Sequence, residues 1–248
     1  MLERLADIIC NCTRGAVLTG AGISAESGVP TFRGHQGLWK KFKPEQLATM
    51  EAFLETPEIV WEWYNWRREL ISEVKPNPGH FALTEMEGLF EDFTLITQNV
   101  DNLHRLAGSN RVLELHGNIY HNKCSECDRG HESDVEIDPN DIPTCSFCGG
   151  KLRPDVVWFG EMLPEAVLTE AFEKAERAEV FFSVGTSALV QPAASLPLIA
   201  KRAGATLVEI NPEPTPLTHL ADFPFQGKSG EVLPEIVAAV AANRTRRE

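Results

Sequence analysis

A short apolar run, Ala16-Val17-Leu18-Thr19, breaks sharply at Gly20-Ala21-Gly22 and reopens as a helix-like segment. Few other patterns restrict a chain's fold so strongly. Gly20 permits a tight turn, Gly22 lets the backbone approach a ligand, and Ala25 stands third in a Gly-x-Gly-x-x-Gly/Ala pattern, where a small residue lets helix and strand pack. This is the logic of a pyrophosphate cradle at a helix N-terminus, where unpaired N–H groups face an anion. The pattern alone suits an ordinary glycine-rich strand-to-helix turn equally well.

A hydride-transferring dinucleotide site would place an acid about 20 residues further on, at the end of a second strand. Here the chain runs instead through Gly28-Val29-Pro30-Thr31-Phe32-Arg33-Gly34 towards Trp39, a glycine-punctuated loop with an aromatic–cation pair. Long loops in compact domains are usually functional or disordered. The aromatic and the cation favour function.

The rest of the chain alternates. Helix signals cover Leu2–Thr13, Pro57–Val74, Pro78–Glu91, Pro164–Ala178, Pro197–Ala203 and Glu231–Asn243. Continuous apolar runs at Ala16–Thr19, Phe93–Thr97, Val112–Leu115, Glu179–Val184 and Thr206–Ile210 read as parallel strands covered on both faces. The fold class is therefore α/β, a doubly wound Rossmann-like parallel sheet with a smaller inserted lobe. In such sheets ligands bind beyond the carboxyl ends of the strands. The five runs are followed by Gly20-Ala21-Gly22, Gln98-Asn99-Val100-Asp101, His116-Gly117-Asn118, Gly185-Thr186-Ser187 and Asn211-Pro212-Glu213, which should meet in one cleft. The expected organisation is a single catalytic unit over 1–248. Its large lobe spans about 1–36, 80–117 and 155–248; its small lobe comprises a helical part, about 37–79, and a cysteine-bearing part, about 118–154.

Cys124-x-x-Cys127 and Cys145-x-x-Cys148, with 17 residues between the pairs, have zinc-ribbon spacing. Four thiolates leave no open position, so the expected zinc is structural. The segment 118–155 carries eight carboxylates against four Lys and Arg, and the chain as a whole has net charge −13, so a nucleic-acid partner is not expected. No apolar run approaches the ~20 residues of a membrane span, and the N-terminus reads as an amphipathic helix rather than a signal peptide. A cytoplasmic protein without a membrane partner is expected. The oligomeric state is left open, a monomer included.

His116 ends an apolar run at the expected cleft, where an imidazole can act as general base; by itself it suits a structural role as well. The neighbouring Gln98-Asn99-Val100-Asp101 shifts that balance towards catalysis.

Taken together, Gly20 to Pro30 with Phe32-Arg33, Gln98 to Asp101, Leu115-His116-Gly117, the paired cysteines, Gly185-Thr186-Ser187 and Asn211-Pro212 resemble the sirtuins, NAD-dependent protein-lysine deacylases, over nearly the whole chain and in the family's order. Many members have Asp before Phe-Arg; Thr31 stands here, as in the bacterial, archaeal and mitochondrial-type branch. The resemblance implies that NAD is cleaved between nicotinamide and ribose rather than reduced, which accounts for the missing acid. It implies that the Gly20–Gly22 turn and Arg33 hold the pyrophosphate and its ribose side, that Ser24, Asn99 and Asp101 line the nicotinamide pocket, and that Gln98 meets the nicotinamide ribose. Gly185, Ser187 and Asn211 would hold the adenosine half, with Ser229 near the adenine. Ala21, Ala25, Thr31, Trp39, Thr186, Pro212 and Glu213 complete the implied cofactor set.

In the mechanism so implied, the acyl-lysine carbonyl oxygen attacks ribose C1′ as nicotinamide leaves, giving an alkylimidate. His116, with Asn99 as its catalytic neighbour, removes a ribose hydroxyl proton, and Phe32 shields C1′. The products are nicotinamide, free lysine and O-acyl-ADP-ribose. The substrate peptide would add as a strand along Val157-Trp158-Phe159-Gly160 and Val190.

Tyr64 and Arg67, three apart on one helix, share a face. From spacing alone they fit a packing helix whose Arg pairs with Glu62 or stacks on Trp63. In the sirtuin context Tyr-x-x-Arg resembles the branch that prefers succinyl- and malonyl-lysine, and such a pair can grip a carboxylate. Negatively charged acyl groups are therefore expected, with deacetylation as a second activity. The alternatives are a predominant deacetylase, a protein mono-ADP-ribosyltransferase using the same NAD cleavage, a hydride-transfer dehydrogenase, and a non-enzymatic zinc-ribbon module.

Overall fold

The computed structural model describes residues 1–31, 43–131 and 137–247. Phe32, Arg33 and Trp39 lie outside the described residues. In chain order the strands are β1 (Arg14–Thr19), β2 (Asp92–Thr97), β3 (Val112–Glu114), β4 (Gly117–Cys124), β5 (Gly130–His131), β6 (Leu152–Val156), β7 (Val180–Val184), β8 (Thr206–Asn211) and β9 (Phe223–Gln226). The helices are α1 (Leu2–Cys10), α2 (Ala21–Ala25), α3 (Pro44–Leu47), α4 (Met50–Glu55), α5 (Pro57–Ser72), α6 (Pro78–Glu87), α7 (Leu103–Leu106), α8 (Glu165–Arg177), α9 (Leu196–Arg202) and α10 (Ser229–Arg247).

Six strands form one parallel sheet in the order β3-β2-β1-β7-β8-β9. The chain leaves β1 towards β2 and β3, then returns to the other side of β1 as β7, so the topological switch point lies between β1 and β7. Successive side chains of β1 point to opposite faces, and both faces are buried. Val17 packs with Phe93, Leu95, Phe182 and Val208 beneath Leu5 of α1, Leu83 of α6 and Ile236 of α10. Ala16 and Leu18 pack with Ile96, Phe181 and Leu207 beneath α8 and α9, which present the small residues Ala171, Ala175 and Ala200 to the sheet. This double covering is why the strands read as continuous apolar runs.

A second, antiparallel sheet, β5-β4-β6, carries the cysteines. Beside it Phe53, Trp61 and Tyr64 of α4 and α5 share a core with Ile119 and Trp158. Trp61 Nε1 donates to the Leu152 carbonyl at 3.1 Å, and Arg68 Nε donates to that of Ile119 at 2.6 Å, tying α5 to this sheet.

Several boundaries differ from the sequence expectation. α1 stops at Cys10 rather than Thr13, and α6 at Glu87 rather than Glu91, where Gly88 provides the cap. α10 starts at Ser229 rather than Glu231 and runs to Arg247 rather than Asn243; Arg247 reaches Asn11 and Asp7, so the basic C-terminus braces α1. β9 escapes sequence reading because it is four residues long and contains Pro224, which an edge strand tolerates. Among the described residues no helix is long and apolar enough to cross a membrane.

Candidate functional site

The site is built from the carboxyl ends of β1, β2, β3, β7 and β8. At the switch point the turn after β1 meets the turn after β7. Gly22 N–H donates to the Gly185 carbonyl at 2.9 Å, and Gly185 N–H donates to Ile210 of β8 at 2.9 Å. A Cβ on Gly22 would fall 2.7 Å from Gly185 Cα, and one on Gly20 would fall 2.8 Å from Gly185 O. Gly185 itself has φ +60°. The glycines are thus required by the crossing of two backbone turns, a nearer cause than ligand approach. Thr186 is buried, its hydroxyl paired with Ser183 at 3.1 Å, while Ser187 is exposed.

Ala25 departs from its expected reason. It is exposed at the end of the five-residue α2, so its small size serves no helix–strand packing. Ala21 opens the same helix half-buried, and Thr31 is half-buried at the last described position of the loop.

Below the turn, Asn99 Nδ2 donates to the Gly20 carbonyl at 3.1 Å and to Ser24 Oγ at 3.0 Å. The Ser24 hydroxyl hydrogen-bonds Asp101, which also accepts the Leu103 N–H at 3.0 Å. All three side chains are buried. Burial raises the Asp101 pKa, opposed by these hydrogen bonds and by the positive charge of Arg67. With both amide protons committed, Asn99 presents its side-chain oxygen as an acceptor.

His116 lies in the turn between β3 and β4. Its Nδ1 is 2.9 Å from the Gln98 carbonyl. A carbonyl only accepts, so Nδ1 carries the proton and Nε2 keeps its lone pair. Burial lowers the imidazole pKa, with the Gln98 hydrogen bond opposing it. His116 O accepts the Val157 N–H at 2.9 Å, which puts the Val157–Gly160 segment beside the imidazole. Phe159 and Gly160 are exposed and Val190 half-buried.

At the far end, Asn211 Nδ2 donates to the Glu213 carbonyl at 2.6 Å and Gln226 Nε2 to that of Pro212 at 3.2 Å, holding the turn after β8. Ser229 is buried, and its hydroxyl donates to Glu26 at 2.5 Å. Glu26 also accepts the Gly230 N–H, so a carboxylate from the end of α2 caps α10. This cap was not read from the sequence; Glu26 carries no local signal of a partner 203 residues away.

A polar layer beneath the site was likewise missed. Thr19 Oγ1 donates to Thr97 Oγ1 at 2.8 Å and meets His104 Nε2 at 2.9 Å, while Thr97 Oγ1 accepts the Asn99 N–H at 3.0 Å. A threonine closing both β1 and β2 was the available signal. His80 and His104 lie ring against ring at 4.9 Å, and burial pulls the His80 pKa down to about 4.

Tyr64 and Arg67 do share a buried face of α5. The Arg67 guanidinium lies 4.9 Å over Trp63 and 5.8 Å over Tyr64, and Trp158 Nε1 donates to Tyr64 Oη at 2.8 Å.

The four cysteine sulfurs lie within 4.8 Å of one another. Tetrahedral Zn–S bonds of about 2.3 Å place sulfurs about 3.8 Å apart. Cys127 and Cys145 are at 3.9 Å, and Cys124 and Cys148 at 3.3 Å. Backbone N–H groups of Cys148 and Phe147 pull the Cys145 thiol down to about 7. The set fits one structural zinc ion. Cys10 and Cys12 pack against the core instead.

Sheet and cleft together are those of a nucleotide-binding α/β protein. The Sir2 family model matches residues 20–192. The NAD-dependent protein deacylase of Aquifex aeolicus (strain VF5) is 55% identical over 219 residues, 88% of this chain and 92% of that protein. A solved Sir2 homologue–NAD complex is 49% identical with TM-score 0.90, covering 97% of this chain and 94% of its own. The structure of Sir2Af2 bound to a myristoylated histone peptide is 37% identical with TM-score 0.78, covering 99% and 98%. This chain belongs to the Sir2 family, as the sequence resemblance implied.

Proposed function

We propose that this Sir2-family enzyme, an NAD-dependent protein-lysine deacylase, acts on carboxylate-bearing acyl groups, succinyl and malonyl, in addition to acetyl, and that it works in the cytoplasm, where paired thiols serve metal rather than disulfides. The observation that carries the acyl preference is the placement of Tyr64 and Arg67 on one buried helical face. Stacking on Trp63 engages the faces of the guanidinium, while its N–H donors lie in its plane and suit a bidentate carboxylate. Burial lowers the Arg67 pKa, opposed by Tyr64 and by the Asp101 carboxyl. An acyl carboxylate beside the guanidinium would favour its charged form further.

NAD, consumed as co-substrate, supplies the electrophilic ribose carbon and the accepting hydroxyls. In this reading Gly20, Ala21 and Gly22, with Arg33, face the pyrophosphate. Ser24, Asn99 and Asp101 line the nicotinamide pocket, Asn99 offering its oxygen as acceptor. Gln98 meets the nicotinamide ribose; Gly185, Ser187 and Asn211 serve the adenosine half. His116, fixed by Gln98, accepts a ribose hydroxyl proton at Nε2. The acyl-lysine segment lies along Val157–Gly160.

The test is incubation with NAD and matched acetyl- and succinyl-lysine peptides, followed by mass spectrometry. The expected products are nicotinamide, free lysine and O-acyl-ADP-ribose, with higher kcat/KM for the succinyl peptide. Equal or acetyl-favouring turnover would make the enzyme a predominant deacetylase, and ADP-ribose attached to protein would make it a transferase.

A further inference from the structure

Tyr64 is buried in an aromatic cluster, and its hydroxyl makes one hydrogen bond with the described residues, accepted from Trp158 Nε1 at 2.8 Å. An indole N–H donates and never accepts. The phenol oxygen is therefore engaged as an acceptor, and its own O–H is left as a donor.

Trp158 is itself held in place. The Arg153 guanidinium lies 3.4 Å over its ring. Both carboxylate oxygens of Glu161 accept from Arg153, and Glu161 also accepts the Trp158 backbone N–H at 2.8 Å. Arg153 Nη2 donates further to the Val156 carbonyl at 2.8 Å. Phe53 packs on the indole with ring centroids 5.4 Å apart. Indole position, and with it the direction of the N–H, is set by the cation below, the ring beside it and its own backbone. A buried Arg–Glu pair is weak as a source of stability, but it is well suited to fixing geometry.

We infer that Trp158 is a positioning residue for acyl selectivity: its N–H commits the Tyr64 hydroxyl to donating, so that tyrosine and Arg67 together present donors only and favour an acyl group ending in a carboxylate. The inference rests on the carboxylate reading of Tyr64 and Arg67. It adds the reason why a tyrosine, whose hydroxyl can otherwise donate or accept, discriminates by charge. A neutral acyl end that offers a donor finds no acceptor at Tyr64. Burial raises the phenol pKa, which keeps the donor proton in place at neutral pH.

The experiment compares kcat and KM on succinyl- and acetyl-lysine peptides for wild type, Trp158→Phe, Tyr64→Phe and the double variant. A fifth protein carries β-(3-benzothienyl)alanine at position 158, which keeps the bicyclic shape and lacks the N–H. The expected result is a fall of roughly fivefold in the succinyl-to-acetyl ratio of kcat/KM, expressed mainly in the succinyl KM, for both position-158 proteins. The double variant should match Tyr64→Phe alone. An unchanged ratio in the benzothienyl protein, or independent multiplication of the two single effects, overturns the inference while leaving the carboxylate reading intact. A wild-type enzyme with no succinyl preference overturns both.

Discussion

The Nδ1 atom of His116 stands 2.9 Å from the backbone carbonyl of Gln98, joining the turn after β3 to the end of β2. The contact selects one tautomer and leaves Nε2 as the basic atom. Burial moves the pKa below the ordinary value of 6.5. A base works in its neutral form, so this imidazole is ready at neutral pH and below it.

From this follows a pH dependence. The acid limb of kcat/KM should fall below pH 6.5, because protonation of His116 occurs below the free-imidazole value. His116→Ala should lower deacylation by roughly 10²-fold or more, the range of a lost general base, with an unchanged circular dichroism spectrum. Retained activity would remove His116 from the chemistry.

Arg67→Met keeps an apolar stem against Trp63 and deletes the charged donors. Steady-state kinetics should show succinyl-lysine turnover losing roughly tenfold or more in kcat/KM, in keeping with a charged hydrogen bond, and the acetyl substrate losing less. Equal losses would assign Arg67 to packing.

The crossing of two turns at the switch point predicts a packing penalty. Gly22→Ala pushes a Cβ to 2.7 Å from Gly185 Cα, and Gly185→Ala adds a side chain at φ +60°. Each should cost about 1–3 kcal/mol in denaturant unfolding and weaken NAD binding measured by calorimetry. Gly130→Ala, with none of the described residues within 4 Å of its added Cβ, should change neither.

His80 ties stability to acid pH. Its folded pKa, about 4, lies below the unfolded value of 6.5. The unfolded chain therefore binds the proton first as pH drops. Stability is fully present above pH 6.5, declines as pH falls through the window to 4, and the decline amounts to about 3 kcal/mol for this residue. Urea midpoints measured across that window should flatten in His80→Gln.

Removal of zinc should loosen the smaller sheet. Cys145→Ser should abolish bound zinc in elemental analysis and lower the thermal midpoint, because the ribbon carries Leu152, whose carbonyl holds Trp61. An unchanged midpoint would detach the metal from the packing of α5.

Much of this was legible locally. Parallel strands buried on both faces announce themselves as unbroken apolar runs, and thiolate pairs announce a metal by spacing, because both signals are short-range. The strand ends and the Tyr64–Arg67 face were legible for the same reason. Glu26 capping α10, the Thr19–Thr97–His104 layer and the Arg153–Trp158–Tyr64 chain were not. Each depends on a link between residues dozens to hundreds of positions apart, and each participant in isolation reads as an ordinary polar or aromatic residue.

The sequence by itself determined the sheet, the cleft at its carboxyl edge and the metal ligands, since these depend on periodicity and spacing, and its motifs carried the resemblance that named the family. Only the tertiary structure decided which atoms face which. Whether Gly22 yields to a ligand or to Gly185, which nitrogen of His116 is basic, and that the Tyr64 hydroxyl accepts from Trp158 are settled by hydrogen-bond direction and contact distance. Those quantities exist only once the backbone turns have been brought together.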